Sequence, residues 1–499
     1  MNRRLPPTGR KTGPSFLRKV SCLALCASLA LPPPAVADSA LPDLGESSRA
    51  DLSPQLERRI GESIMNDIRL HEPTYVDDPE INDYLNRLGR RLVAASIDPG
   101  GDFHFFAIRD SQVNAFAMFG GYIGVNTGTI LTSQSESELA GVVAHEISHV
   151  TQNHLARQIS GQKQQSVLGM IAMAIALLAA RSNADAAGAA IFGSQAAMVQ
   201  SQLAFSRDFE READRIGYDI LQKAGFDPRG MAGFFERLQK ATRVYENNAP
   251  VYMRSHPITL ERISDMQNRL QDSPYRQVRD SLDYQLVRAK LRAQIGTPKE
   301  AVAEFELQLR ERKFTSEASA RYGLAFAHLR AGDHAAAGRE IEALRRLQKG
   351  SEDSPMIESL AARTKLAAAD PTAAAALFRD ALQRFPTARA LAYGYADALF
   401  SLHDHKRLDS FLDEQLLSWS SDPKLYEMRA RLRATQGRKL QQHRALAEMY
   451  VLQGRLPLAI EQLQLARRAG DGDFYDQSVV DARLRELQKQ QAEEAKQKN

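Results

Sequence analysis

Apolar residues recur along this chain in two rhythms, and the places where the rhythm changes divide it. Ile81, Leu85, Leu88 and Leu92 follow one another at intervals of four, three and four, the spacing of one helical face, which predicts a helix over 78–95. The pattern then shortens. Phe103-His104-Phe105-Phe106-Ala107-Ile108 is a compact aromatic and aliphatic run, and Tyr122-Ile123-Gly124-Val125 is another, after Gly120-Gly121. Runs of this kind bounded by turn residues form strands. Helical signals return at Ser135, which makes a capping-box pattern with Glu138 ahead of an apolar stretch; this second helix is expected to carry 136–157.

Two later regions stand apart. Within 161–204, residues 167–180 are almost wholly apolar, and an Ala-, Gly- and Ser-rich stretch follows to about residue 197. The apolar run is short of the roughly 20 residues a membrane helix needs. It leaves three roles open: a buried helical hairpin, a lid over a cleft, or a peripheral membrane contact through 167–180. From about residue 282 the composition turns to Ala, Leu, Arg and Gln. Gly296, Gly332, Ala369, His403 and Gly437 fall at matching turn positions, roughly 34–37 residues apart, which is the period of a tetratricopeptide repeat. The best single unit is 447–466, where Ala447, Tyr450, Gly454, Ala459, Leu463 and Ala466 occupy the small, aromatic and turn positions; Ala374, Phe378, Ala381 and Pro386 make a partial match. The spacing slips to 17 between Gly437 and Gly454. Helix pairs of this kind must stack on neighbours to bury their apolar faces. The expected fold class is mostly α: an α+β domain with a small sheet, then an α-solenoid of tetratricopeptide-like repeats. The expected boundaries are a leader over 1–37, a loose lead-in over 38–60, the mixed domain over 61–275, the repeat domain over 280–483 and a charged tail, frayed, over 484–499.

Charge sharpens the reading of the leader. The chain has 65 basic and 61 acidic residues, a net +4. Six of the basic residues, Arg3, Arg4, Arg10, Lys11, Arg18 and Lys19, lie in 1–37, which has no acid. Setting those six aside leaves 59 basic against 61 acidic, so the rest is near neutral and gives no reason to expect nucleic acid as a partner. The basic start, an apolar run over 20–31 and Ala35-Val36-Ala37 have the order of a secretory signal cleaved near Ala37. Both cysteines, Cys22 and Cys26, fall inside it. The mature chain would have no thiol, hence no disulfide, no cysteine nucleophile and no cysteine metal site.

The sharpest chemical signal is His145-Glu146-Ile147-Ser148-His149. Residues four apart share a helical face, so both imidazoles can reach one ion while Glu146 stands beside it as a base. Apolar flanks, Ala140-Gly141-Val142-Val143-Ala144 and Val150, place this helix in a core, where two histidines and a glutamate are costly without a partner. Zinc suits nitrogen and oxygen donors and keeps a position open for water in catalytic sites. A third ligand is needed. Glu210-Arg211-Glu212-Ala213-Asp214 offers Glu210 and Asp214 on one face, one to bind metal and one to accept a ligand histidine's N–H; Glu212 is the rival. His104 and His154 fit no motif and read as surface or core residues.

His145-Glu146-x-x-His149 with Glu210-x-x-Ala213-Asp214, preceded by Asn114-Ala115-Phe116-Ala117 and Gly120-Gly121, resembles the gluzincin peptidases related to the CAAX prenyl protease and the HtpX heat-shock protease. With a signal and helical repeats, the chain is most similar to the periplasmic β-barrel assembly-enhancing proteases, over roughly 50–480. The resemblance implies a zinc metalloendopeptidase with one Zn2+ per chain. It implies His145, His149 and Glu210 as metal ligands, Glu146 as general base and Asp214 as support for a ligand histidine. Asn114, Ala115 and Phe116 would form an edge strand for substrate, and His256, in Ser255-His256-Pro257, a fourth ligand in a resting state. It further implies a periplasmic location, possible association with the outer membrane as a peripheral protein, and protein partners: misassembled outer-membrane β-barrel proteins to degrade, and their assembly machinery to assist. The alternative is a chaperone or assembly scaffold with a latent peptidase site.

Overall fold

The computed structural model describes residues 53–161, 206–242, 251–271, 276–348 and 353–496. The expected leader, most of the lead-in and nearly all of 161–204 lie outside the described residues.

Helices α1 (Pro54–His71) and α2 (Pro79–Val93) each begin with a side-chain cap, Ser53 and Asp78, followed by proline at the first helical position, where a missing N–H costs nothing. The stripe Ile81, Leu85, Leu88 and Leu92 is buried, as its spacing predicts. Three strands follow: β1 (His104–Ile108), β2 (Ala115–Ala117) and β3 (Tyr122–Asn126). They form one sheet in the order β1-β3-β2, with β3 parallel to β1 and antiparallel to β2. β2 is therefore an edge strand. The other edge carries a single bridge from Tyr75 to Ile108.

After α3 (Thr127–Thr132) comes α4 (Glu136–Thr151), buried from Glu136 to His149. Only half of the expected capping box forms. Ser135 accepts from the Glu138 N–H, but the Glu138 carboxylate accepts from the Gln134 N–H and from Arg237 instead. The expected single helix over 136–157 is also two helices. Asn153 takes a left-handed conformation at φ 52°, and the helix restarts as α5 (His154–Gly161). Then come α6 (Arg207–Lys223), α7 (Arg229–Thr242), α8 (Val251–Ser255) and α9 (Leu260–Gln271). α6 lies directly on α4. A Cβ at Gly217 would stand 3.1 Å from the backbone nitrogen of His145, so a bare glycine lets the two helices close at that residue.

The remainder is a run of antiparallel helix pairs: α10 (Leu282–Ala293), α11 (Pro298–Glu311), α12 (Glu317–Ala331), α13 (His334–Gln348), α14 (Pro355–Ala367), α15 (Pro371–Arg384), α16 (Arg389–Ser401), α17 (His405–Ser418), α18 (Pro423–Thr435), α19 (Lys439–Leu452), α20 (Leu456–Arg468) and α21 (Phe474–Lys496). The five turn positions read from the sequence all adopt positive φ: Gly296 64°, Gly332 79°, Ala369 58°, His403 56° and Gly437 71°. The slip in spacing is one helix long, because Gly437 and Gly454 bracket α19. α21 runs on through the segment read as a tail, with Leu484 and Leu487 buried.

One hydrophobic core runs from Val76 through Ile147 and Phe235 into the first repeat helices, as far as Ala361. Polar ties follow the same seam. Lys290 on α10 is buried with its Nζ 2.5 Å from carboxylate oxygens of both Asp78 and Glu80, and Arg389 on α16 donates from Nε to Asp83 at 2.9 Å. No described helix is long and apolar enough to cross a membrane.

Candidate metal centre

α4 presents His145 and His149 one turn apart, and α6 brings Glu210 against them. The segment after α8 adds His256. One donor atom from each of these four buried residues lies within 4.8 Å of all the others. His145 Nε2 is 3.0 Å from His149 Nε2 and 3.3 Å from His256 Nδ1. Glu210 Oε1 is 3.0 Å from His256 Nδ1 and 3.4 Å from His149 Nε2, and Glu210 Oε2 is 3.5 Å from His145 Nε2. Ligand bonds of 2.0–2.1 Å at tetrahedral angles give donor separations of about 3.3 Å. The observed contacts, 3.0–3.5 Å, are close to that spacing. Three imidazoles and one carboxylate, with no thiol, are a donor set that fits zinc.

Glu146 is wholly buried, and neither of its oxygens has a hydrogen-bond partner of normal geometry among the described residues. Its Oε1 is 3.6 Å from His256 Nε2. Burial pushes its carboxyl above the usual carboxylate range. A buried carboxylate is costly, which suits a group that takes up a proton. Asp214, one turn beyond Glu210, sets Oδ1 3.1 Å from His145 Nδ1. Burial would raise Asp214, but the Arg262 guanidinium prevails and holds it below its ordinary value. Burial would lower His145, yet Asp214 and Glu210 outweigh it and raise that ring to about 9. His149 goes the other way: burial lowers it to about 3. Glu210 is held well below the carboxylate range, because His256, His145 and His149 together override its burial.

β2 supplies the expected edge. Ala115 and Phe116 lie in it, and Asn114 precedes it, accepting from Asn126 N–H at 2.9 Å and so extending the ladder. The Ala117 N–H on the same strand faces Glu146. Tyr252 on α8 donates its N–H to Val113 O at 3.2 Å, which ties the His256 segment to the chain entering β2. Glu212 stands outside the cluster, against His154 and Arg157. His104 is half-exposed beside Asp102.

Two residues at the centre carry no signal in the sequence reading. Arg262 on α9 is buried and holds Asp214 and Glu210; it is one arginine among many in a charged helix, with nothing local to mark it. His154 is buried against His149; Asn153, a residue that tolerates the left-handed turn, is the one cue that the helix breaks there.

Residues 79–270 match peptidase family M48. The "Beta-barrel assembly-enhancing protease" of Yersinia pestis is 30% identical over 456 residues, 91% of this chain and 92% of that protein. The chain belongs to this family of M48 zinc metallopeptidases. The Escherichia coli K12 protein of the same name is 30% identical over 92% of this chain and 93% of its own length. A Vibrio cholerae "Putative beta-barrel assembly-enhancing protease" is 39% identical over 61% of this chain, spanning 64% of that protein. Among solved structures, yeast Tom70 aligns at a TM-score of 0.28 and 11% identity, over 72% of this chain and 82% of its own; the repeat architecture rests on the helix pairing and turns, not on that score.

Proposed function

We propose that the chain is a zinc-dependent endopeptidase of the periplasm that degrades misassembled outer-membrane proteins and assists their assembly, with the repeats recruiting protein partners. The observation that carries the hydrolytic half is the buried cluster of His145, His149, Glu210 and His256, within 4.8 Å of one another, beside the buried Glu146. The cellular half rests on kinship with proteins named for β-barrel assembly.

In this reading His145, His149 and Glu210 hold one zinc ion per chain. Zinc, when bound, supplies the Lewis acidity that activates water and draws charge from a peptide carbonyl. Glu146 takes the proton of the attacking water and passes it to the leaving amine. Asp214 fixes the tautomer of His145 by accepting from Nδ1. An extended substrate adds to the open edge of β2 through backbone hydrogen bonds, with its scissile bond beside Glu146. His256 would be a fourth donor to the ion, in the place a catalytic zinc site leaves for water. In this reading the arrangement with His256 in the centre is the resting one, and its removal starts catalysis; the 3.3 Å and 3.0 Å contacts of His256 Nδ1 with His145 and Glu210 support it. The same closure supports a second reading, in which the chain acts mainly as a chaperone or scaffold with a latent peptidase site. Glu146→Gln separates the two in a strain that depends on the protein: assembly that survives the change belongs to the scaffold, and assembly lost with it belongs to proteolysis.

A further inference from the structure

α5 opens with a buried histidine that the proposed reaction does not use. The His154 ring stacks on Phe209, with centroids 4.6 Å apart and planes 12° from parallel. Its Nδ1 is 2.8 Å from Nδ1 of His149, and its Nε2 is 3.2 Å from Glu212 Oε2. Arg157 donates to that same oxygen at 3.0 Å. Position alone would not bring the rings together. On one continuous helix, residues five apart are separated by about 140° around the axis. The left-handed turn at Asn153 folds His154 back onto its neighbour.

Proton counting sets the direction of each bond. Two nitrogens at 2.8 Å share one hydrogen. His149 turns Nε2 toward Glu210 and His145. An imidazole that gives its Nε2 lone pair to a metal keeps its proton on Nδ1, so His149 Nδ1–H donates and His154 Nδ1 accepts. A neutral His154 then carries its own proton on Nε2, which it donates to Glu212 Oε2. We propose that His154 is a positioning residue for the metal centre: it accepts the Nδ1 proton of His149, is itself held by Glu212, and so fixes the tautomer and ring plane in which His149 meets the metal. This assignment rests on the reading of His149 as a metal ligand. It gives the second histidine ligand a brace of its own, as Asp214 braces the first. Such partners of a ligand histidine typically change metal affinity 10–100-fold. His154 is not a further ligand, because its Nδ1 is spent on His149 and it stands outside the four-residue cluster.

The test compares zinc affinity, by chelator competition, in the full chain and in His154→Phe and His154→Asn, with nitrogen-15 histidine spectra to read the His149 tautomer. Phe keeps the stack on Phe209 and deletes the acceptor; Asn restores an acceptor near the place of Nδ1 without the ring. Zinc bound about 10–100-fold more weakly by the Phe variant, with the metal-free melting temperature near wild type, the Nδ1–H signal of His149 lost, and affinity partly regained in the Asn variant, is the expected result. A Phe variant that binds zinc as tightly as wild type with an unchanged His149 tautomer overturns the assignment. So does equal loss in both variants that tracks a fall in melting temperature, which marks a packing role. A wild-type chain that takes up no zinc overturns both this inference and the metal-ligand reading beneath it, and so is distinguishable from the first two.

Discussion

Arg262 grips Asp214 with two bonds, from Nε to Oδ2 at 2.6 Å and from Nη2 to Oδ1 at 2.7 Å, and both residues are buried. Its Nη1 reaches Glu210 Oε2 at 2.7 Å and also donates to Pro257 O. One guanidinium thus orients both carboxylates that α6 sends into the centre and anchors the chain just after His256. The fork geometry belongs to arginine; a lysine ammonium offers a point charge instead.

Arg262→Met should leave Asp214 as an uncompensated buried acid. Removing one partner of such a pair costs about 3–5 kcal/mol, and zinc affinity should fall as well. Arg262→Lys should recover part of the stability and less of the zinc affinity. Thermal unfolding and zinc competition on the three chains check this.

Asp214 also sets a pH dependence. Its folded pKa lies below its ordinary value, so the folded state binds its proton more weakly than the unfolded chain. Its contribution to stability is fully present above the unfolded value of about 4 and is lost as pH falls through the folded value. The metal-free chain should lose stability steeply below about pH 4. Asp214→Asn should be less stable at neutral pH and show a flatter acid limb in chemical denaturation.

The ligand pair and the base stand plainly in the sequence because helical spacing alone puts His145, Glu146 and His149 in register, and Glu210 with Asp214 likewise. The repeat turns were legible even at Ala369 and His403, where the period survives although glycine does not. What the sequence hides depends on contacts far along the chain. Arg262 finds Asp214 across 48 positions, and no local pattern encodes that. The break at Asn153 turns an expected single helix into two, and only that break gives His154 a partner. The half-made capping box has a cause partly of this kind: the distant Arg237, with the neighbouring Gln134 N–H, takes the Glu138 carboxylate.

His256→Ala should open the fourth corner of the donor set. Peptide cleavage should rise several-fold, while zinc dissociates faster because one of four close donors is gone. Casein turnover and zinc release by a chelator are the two readouts. Unchanged turnover with unchanged zinc release would remove His256 from the resting state.

Glu146→Gln should separate stability from activity. Burial disfavours the charged form of the wild-type carboxylate, so a neutral amide should leave the metal-free fold at least as stable. Proton transfer by a positioned base is worth about 10²–10⁴-fold in rate, and that factor should be lost. Melting curves and cleavage rates on the same samples show both effects.

The most direct measurement of the central claim is zinc content together with casein cleavage on one purified preparation, for wild type and Glu146→Gln, each with and without His256→Ala. The expected result is about one zinc per chain in the wild type and in Glu146→Gln, cleavage in chains that keep Glu146 and fastest in His256→Ala, and none above background in either chain without Glu146. No zinc after metal-replete purification, or cleavage undiminished by Glu146→Gln, would contradict it.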